Sequence, residues 1–291
     1  MPNLKDLKTR INSVKSTQKI TSAMKMVAAA KLRRAQDAAE QGRPYANRMQ
    51  QVIASLAEKS DKSSASPLLV GREKDNSHLL VVVSADKGLC GGFNGSVARM
   101  ARNEIARLTA EGKSVKLFVV GRKAGDALAG EISSDMIFER VENLQGSDVK
   151  YGDASQVSRQ IIDAFDSETF DSVSIIYNRF VNAITQVVTQ KSLIPAEMAE
   201  TDQDDSNITY EYEPEESELL TDLLPRNLST QIYSALLESS AAELAARMTA
   251  MDNATRNAGD MIDRLTLVYN RTRQANITKE LIEIISGAEA L

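Results

Sequence analysis

The stretch "HLLVVVSADKGLCGGFNGS", His78 to Ser96, joins an apolar, β-branched run to a glycine-rich turn. The run reads as a buried strand. The turn leads into "NGSVARMARNEIARLTAEG" (94–112), a helix with Asn94 as its N-cap and a glycine at its end. Strand, glycine turn and helix in that order open an α/β sheet. The same order can cradle a phosphate on free helix N–H groups. The glycine spacing does not match either well-defined cradle. Gly88, Gly91, Gly92 and Gly95 include no Gly-Lys-Ser/Thr, so no lysine is aimed at a β- or γ-phosphate. The order G-L-C-G-G-F-N-G is not G-x-G-x-x-G. The turn therefore reads as a tight connection presenting Lys87, with Cys90 as a small packing residue. A contact between the helix start and an anion stays open.

Outward from this stretch, strand and helix alternate over 75–195. "VKLFVV" (115–120) is a second strand, and "DASQVSRQIIDAF" (153–165) is a helix with Asp153 as its cap. "SVSIIYNRF" (172–180) and "ITQVVTQKSLI" (184–194) read as paired strands. The expected domain is an open, Rossmann-like α/β fold with a mostly parallel sheet and one antiparallel edge.

Both flanks are helical. Residues 1–60 form one long helix in which Leu4, Leu7, Ile11 and Val14 follow a coiled-coil seam. Gln18, Thr21 and Lys25 continue the seam as polar residues, while Ile20, Met24 and Val27 shift apolarity onto a neighbouring face. Pro44 should bend or disturb this helix. Residues 217–291 form a second long helix, with Pro225 near its start and Gly259 inside. Its packing positions include Leu228, Ile232, Leu236, Met251, Leu265, Ile277, Leu281 and Ile284. Two terminal helices around one compact domain imply an intramolecular antiparallel coiled coil, a shaft with the α/β domain at its side. Residues 196–216 form an acidic loop; ten acids fall from Glu197 to Glu218, the last of them just beyond it. Its acids lack the order of a calcium-binding loop.

Composition narrows the chemistry. Among 291 residues there is one cysteine and one histidine, His78, which removes disulfide frameworks and most histidine-based metal and catalytic arrangements. Aromatic residues are 4%, so aliphatic side chains must build the core. The net charge of −5 hides a basic N-terminus: residues 1–34 carry nine Lys or Arg against Asp6. That density suits an acidic protein partner. It lacks the interleaved aromatics of a nucleic-acid surface. No run approaches the roughly 18 apolar residues of a membrane span, and no signal peptide is evident.

Three stretches then carry a resemblance. "RINSVKSTQKITSAMKMVAAAKLRRAQ" (10–36), "SADKGLCGGFN" (84–94) and "LVYNRTRQANITKELIEIISGAEAL" (267–291) resemble the gamma subunit of the F-type ATP synthase, bacterial type. The last of them is similar to that family's signature I-T-x-E-L-x-E-I-x-x-G-A, from Ile277 to Ala288.

The resemblance implies a central rotor shaft, one copy per complex, inside a ring of three alpha and three beta subunits. It implies a foot on the membrane c-ring, where the epsilon subunit also binds, and proton flow that turns the shaft so that beta makes or hydrolyses ATP. No catalytic residue, cofactor or metal of its own is implied. Met24, Lys25, Arg33, Lys87, Arg273, Gln274, Thr278 and Glu280 would meet the ring, and Tyr212 and Glu213 the c-ring. The family often has Arg at the position of Lys87. The implied location is peripheral, on the cytoplasmic face of a bacterial inner membrane or, alternatively, on the mitochondrial matrix side. An NTP-binding enzyme and a basic helical scaffold for nucleic acid are the competing function classes.

Overall fold

The central strand is built by period two. In β1 (Ser77–Val83), Leu79, Val81 and Val83 face one side of the sheet, and Leu80 and Val82 face the other. All five are fully buried, so both faces must be covered. In the computed structural model, which describes residues 3–59, 66–72, 74–130, 132–144, 149–196 and 216–289, they are.

The chain runs α1 (Leu4–Lys59), α2 (Pro67–Val70), β1, α3 (Phe93–Ala110), β2 (Ser114–Val120), α4 (Arg122–Leu128), β3 (Ile137–Val141), α5 (Tyr151–Asp166), β4 (Ser172–Phe180), β5 (Gln186–Ile194) and α6 (Glu216–Glu289). The sheet order is β3-β2-β1-β4-β5. β2, β1, β4 and β3 pair in parallel, and β5 is an antiparallel edge joined to β4. On one face α3 and α4 supply Val97, Ala101, Leu108, Ala124 and Leu128. On the other, α5 supplies Val157, Ile161 and Phe165, and α6 supplies Leu228, Ile232 and Leu236.

The chain divides into two units, Ala29–Ala246 and a helical pair made of Met1–Ala28 with Arg247–Leu291. α1 and α6 each contribute to both. Pro44 lies inside α1 without ending it. In the larger unit Gly42 brings α1 against α6: a Cβ there would sit 3.3 Å from Leu237 Cδ1.

Two expected caps are corrected. α3 begins after Gly92, not Asn94, and the Asn94 side chain turns back to the preceding loop. α5 begins two residues before Asp153, whose carboxylate instead accepts from the Lys150 N–H at 3.4 Å. Both misassignments share one cause. A short polar side chain can satisfy backbone N–H groups from inside the first turn as well as from the cap. The short β3 and α4 carry too little periodicity to be read from sequence.

His78 sits on the α3 side of β1 in a polar ring. Its Nδ1 is 2.8 Å from Ser172 Oγ and its Nε2 2.8 Å from Ser174 Oγ. Ser172 Oγ donates to Asp75 at 2.9 Å, so it must accept from Nδ1–H. Ser174 then donates to Nε2, which fixes the tautomer. Asp75 pairs with Lys113, Glu104 with Arg107, and Gln190 Nε2 donates to Glu104. Burial lowers the His78 pKa from its ordinary 6.5, against the pull of Glu104 and Asp75 and with the help of Lys113 and Arg107. The native state therefore binds its proton later than the unfolded chain as pH falls. Stability should decline from about pH 6.5 downward, by at most ~1.4 kcal/mol per pH unit for one proton. Thermal melts of the full chain between neutral and mildly acidic pH check this. His78→Gln should flatten that part of the profile, and an unchanged profile contradicts the assignment.

Candidate functional site

The turn after β1 is held from three sides. Ser84 N–H extends the β1–β2 pairing to Val120 O at 2.8 Å, and Ser84 Oγ accepts from the Ala124 N–H at 2.9 Å. Asp86 accepts from the Arg122 N–H at 3.2 Å and the Asn143 N–H at 3.1 Å, tying the turns after β2 and β3 to this one. Asn94 fills the inside: its Oδ1 accepts from the Ala85 N–H at 3.0 Å, and its Nδ2 reaches Lys87 O and Cys90 Sγ. Cys90 is buried. Where a phosphate cradle would aim N–H groups at a ligand, this turn closes on its own asparagine. It exposes Leu89, at φ 65°, and Lys87. The Lys87 ammonium has no hydrogen-bond or ion-pair partner among the described residues.

The helical pair has its own polar seam. Thr21 Oγ1 lies 2.8 Å from Thr255 Oγ1, and Lys25 Nζ lies 2.5 Å from Asp252 Oδ1. A Cβ on Gly259 would sit 3.2 Å from Gln18 Nε2. Gln18, Thr21 and Lys25 thus continue the Leu7 and Ile11 seam, and α6 supplies polar partners for Thr21 and Lys25 and a glycine opposite Gln18. The Lys25 hydrogen bond depresses the Asp252 pKa, and Arg256 adds to it. Both partners of this ion pair are partly exposed, the geometry of a contact easily exchanged.

The register explains the tip. Gln18 faces Gly259, Thr21 faces Thr255 and Lys25 faces Asp252. Continued to Leu4, it ends opposite about residue 273. Among the described residues, none of α1 lies opposite the α6 residues beyond. Ile277, Leu281 and Ile284, expected to pack between helices, are instead 46%, 53% and 68% exposed. Ile20 and Val27 are also exposed, on the face of α1 that α6 does not cover.

The sequence-derived site residues fall in separate places. Arg273, Gln274, Thr278 and Glu280 are exposed on the unpaired end of α6, where Thr278 Oγ1 donates to Gln274 O at 3.0 Å. Met24 and Lys25 are half-buried in the helical pair; Arg33 is exposed on α1 within the larger unit. Tyr212 and Glu213, with most of the acidic loop, lie outside the described residues. Sequence reading missed Asp252 and Thr255, the cross-helix partners. Their one signal was polarity opposite a polar seam. No group of three or more His, Cys, Asp or Glu among the described residues is placed to hold a metal ion. No described helix is long and apolar enough to cross a membrane.

Known proteins match this chain along its length. The family model described as ATP synthase matches residues 3–291. The ATP synthase gamma chain of Rhizobium etli is 55% identical, and that of Rhodospirillum rubrum 53%, each alignment covering all of both chains. A chain from the mitochondrial ATP synthase central stalk and c-ring of Tetrahymena thermophila superposes with a TM-score of 0.60 at 31% identity. That match covers 81% of this chain and 99% of that one. A chain of the Euglena gracilis mitochondrial ATP synthase shares the fold, with a TM-score of 0.68 at 20% identity over 99% of this chain and 94% of that one. With a full-length family match and relatives more than half identical from end to end, this chain belongs to the ATP synthase gamma-chain family.

Proposed function

We propose that the chain is the central shaft of a rotary ATP synthase, turning inside an alpha3beta3 ring while its other end stands on a c-ring beside an epsilon subunit. On this reading it carries no catalytic residue of its own. It couples proton flow to synthesis or hydrolysis of ATP on beta, as a peripheral protein at the membrane face. The observation that carries the reading is the unpaired end of α6. Isoleucines and a leucine exposed by register need an outside surface, and their neighbours Arg273, Gln274, Thr278 and Glu280 supply polar contacts to it. Lys87, Met24, Lys25 and Arg33 are proposed as further ring contacts, and Tyr212 and Glu213 as c-ring contacts. Charged contacts of exposed groups can be broken and remade at modest cost as a shaft turns.

Rotation tests it directly. Ile184, 85% exposed in the turn between β4 and β5, accepts a cysteine handle, and the native Cys90 is buried. With Ile184→Cys in the purified complex, a bead on that thiol should turn in one direction when ATP is supplied. Intact ATP hydrolysis with a stationary bead would overturn the reading.

A further inference from the structure

In the larger unit, a cleft of about 490 Å³ lies between α1, α5 and α6. Tyr45, Tyr151, Ser155, Ser158, Arg159, Arg226 and Ser229 line it, together with Ile162 and Pro225. Two observations set it apart. Arg159 and Arg226 are exposed and neither has a carboxylate within 4.0 Å among the described residues, although Asp163 and Asp222 lie one helical turn away from them. Arg159 has only a long contact, 3.4 Å, to Ser155 Oγ. The second is Ser158, which is fully buried with an Oγ that has no hydrogen-bond partner among the described residues. A buried hydroxyl left unpaired is destabilising, so its retention at the cleft wall needs a reason. Arg43, Arg72 and Arg107 of the same unit are instead held in ion pairs, on Glu238, on Glu168, and on Glu104 and Glu111.

We propose that this cleft is an oxyanion site that takes a phosphate group, with Arg159 and Arg226 as its charged donors and Ser158 Oγ as its buried one. Planar guanidinium groups present forked N–H donors that match phosphate oxygens. The cleft is within the volume range of small-molecule sites. Its two tyrosine rings, one of them edge-on to Tyr233 at 5.6 Å, offer flat apolar surface beside the anion. The phosphate could be free or belong to a nucleotide; the chemistry recognised is the same. The site is separate from the shaft contacts and does not depend on them.

Titration of the full chain with inorganic phosphate and, separately, with ADP in the absence of Mg²⁺ tests it by calorimetry. Saturable binding at millimolar or lower concentration is expected, weakening with added salt. The Arg159→Gln, Arg226→Gln double variant should lose about tenfold or more in affinity. Its melting temperature should hold, since neither arginine is paired. Ser158→Ala, which removes an unpaired hydroxyl, should weaken binding without loss of stability. ADP binding appreciably tighter than phosphate assigns the site to a nucleotide; equal affinity assigns it to free phosphate. Absence of binding for both probes, or equal binding by the double variant, overturns the proposal. Bead rotation is unaffected by either outcome, so the two readings fail independently.

Discussion

Replacing Gly121 by alanine should severely destabilise the α/β domain. Gly121 follows β2 at φ 87°, a conformation that L side chains rarely adopt. A Cβ built there lies 1.9 Å from Ser84 O and 2.7 Å from Ser84 C. Both are backbone atoms, so no rotamer change relieves the clash. Ser84 cannot retreat, because its N–H is bonded to Val120 O and its Oγ accepts from the Ala124 N–H at the start of α4. Moving it would also pull on Asp86, which joins the turns after β1, β2 and β3. The cost should exceed the ~1–3 kcal/mol of backbone strain alone and reach at least about 4 kcal/mol, the range of exceptional single substitutions. Against a total stability of roughly 5–15 kcal/mol, a loss of that size removes most of the margin at the lower end and a large part of it at the upper end. Far-UV circular dichroism should show the cooperative melt moved to much lower temperature, and soluble yield should drop. Gly88→Ala provides the contrast. A Cβ there meets nothing within 4 Å, and its melt should stay close to that of the unmodified chain.

This contrast marks what a sequence discloses. Two glycines a strand apart look alike on paper, and the tight approach at Gly121 is a tertiary fact. The parallel sheet with an antiparallel edge was legible because β1, β2, β4 and β5 carry β-branched runs of seven or nine residues. β3 was not legible: only its end residues are even half-buried, and its sequence reads IFERV. The two long helices were legible from uninterrupted helix formers, despite Pro44 and Pro225. Their stagger was not. The apolar residues of α6 from Ile277 onward have the spacing of a packed helix, and only the register of Lys25 on Asp252 shows that α1 ends first. Lys87 was correctly read as lying on a tight turn. That Asn94 closes the inside of the turn follows from side-chain direction, which a linear motif does not encode.

Glu238 is the other position where a single change should have a large effect. Its side chain is 7% exposed on α6. Oε1 accepts from Arg43 Nε of α1 at 2.6 Å, and Oε2 accepts from the Phe180 N–H at the end of β4 at 2.9 Å. Arg43 Nη2 completes the loop by donating to Phe180 O at 3.0 Å. The Glu238 hydrogen bond raises the Arg43 pKa further above its ordinary range, so the guanidinium stays charged wherever the protein is folded. One carboxylate and one guanidinium thus take the place of a neighbouring strand for Phe180, and two helices are fastened to the sheet through them. Glu238→Ala leaves the Phe180 N–H buried without an acceptor, a cost of about 1–3 kcal/mol, and leaves a charge without its partner. Arg43 is 41% exposed and can turn to water, which limits the second cost. The sum should be about 2–3 kcal/mol, below the upper range for fully buried pairs. Glu238→Gln keeps an acceptor for Phe180 and should cost about half as much, since a neutral acceptor binds more weakly than a charged one. Arg43→Ala should fall between them. Hydrogen exchange separates this account from a general loosening. In Glu238→Ala the Phe180 amide should exchange far faster while Ile175 and Ile176, in the middle of β4, keep most of their protection. If all three amides speed up together, Glu238 acts through overall stability, and the clamp is not a distinct local fastening of helix to sheet.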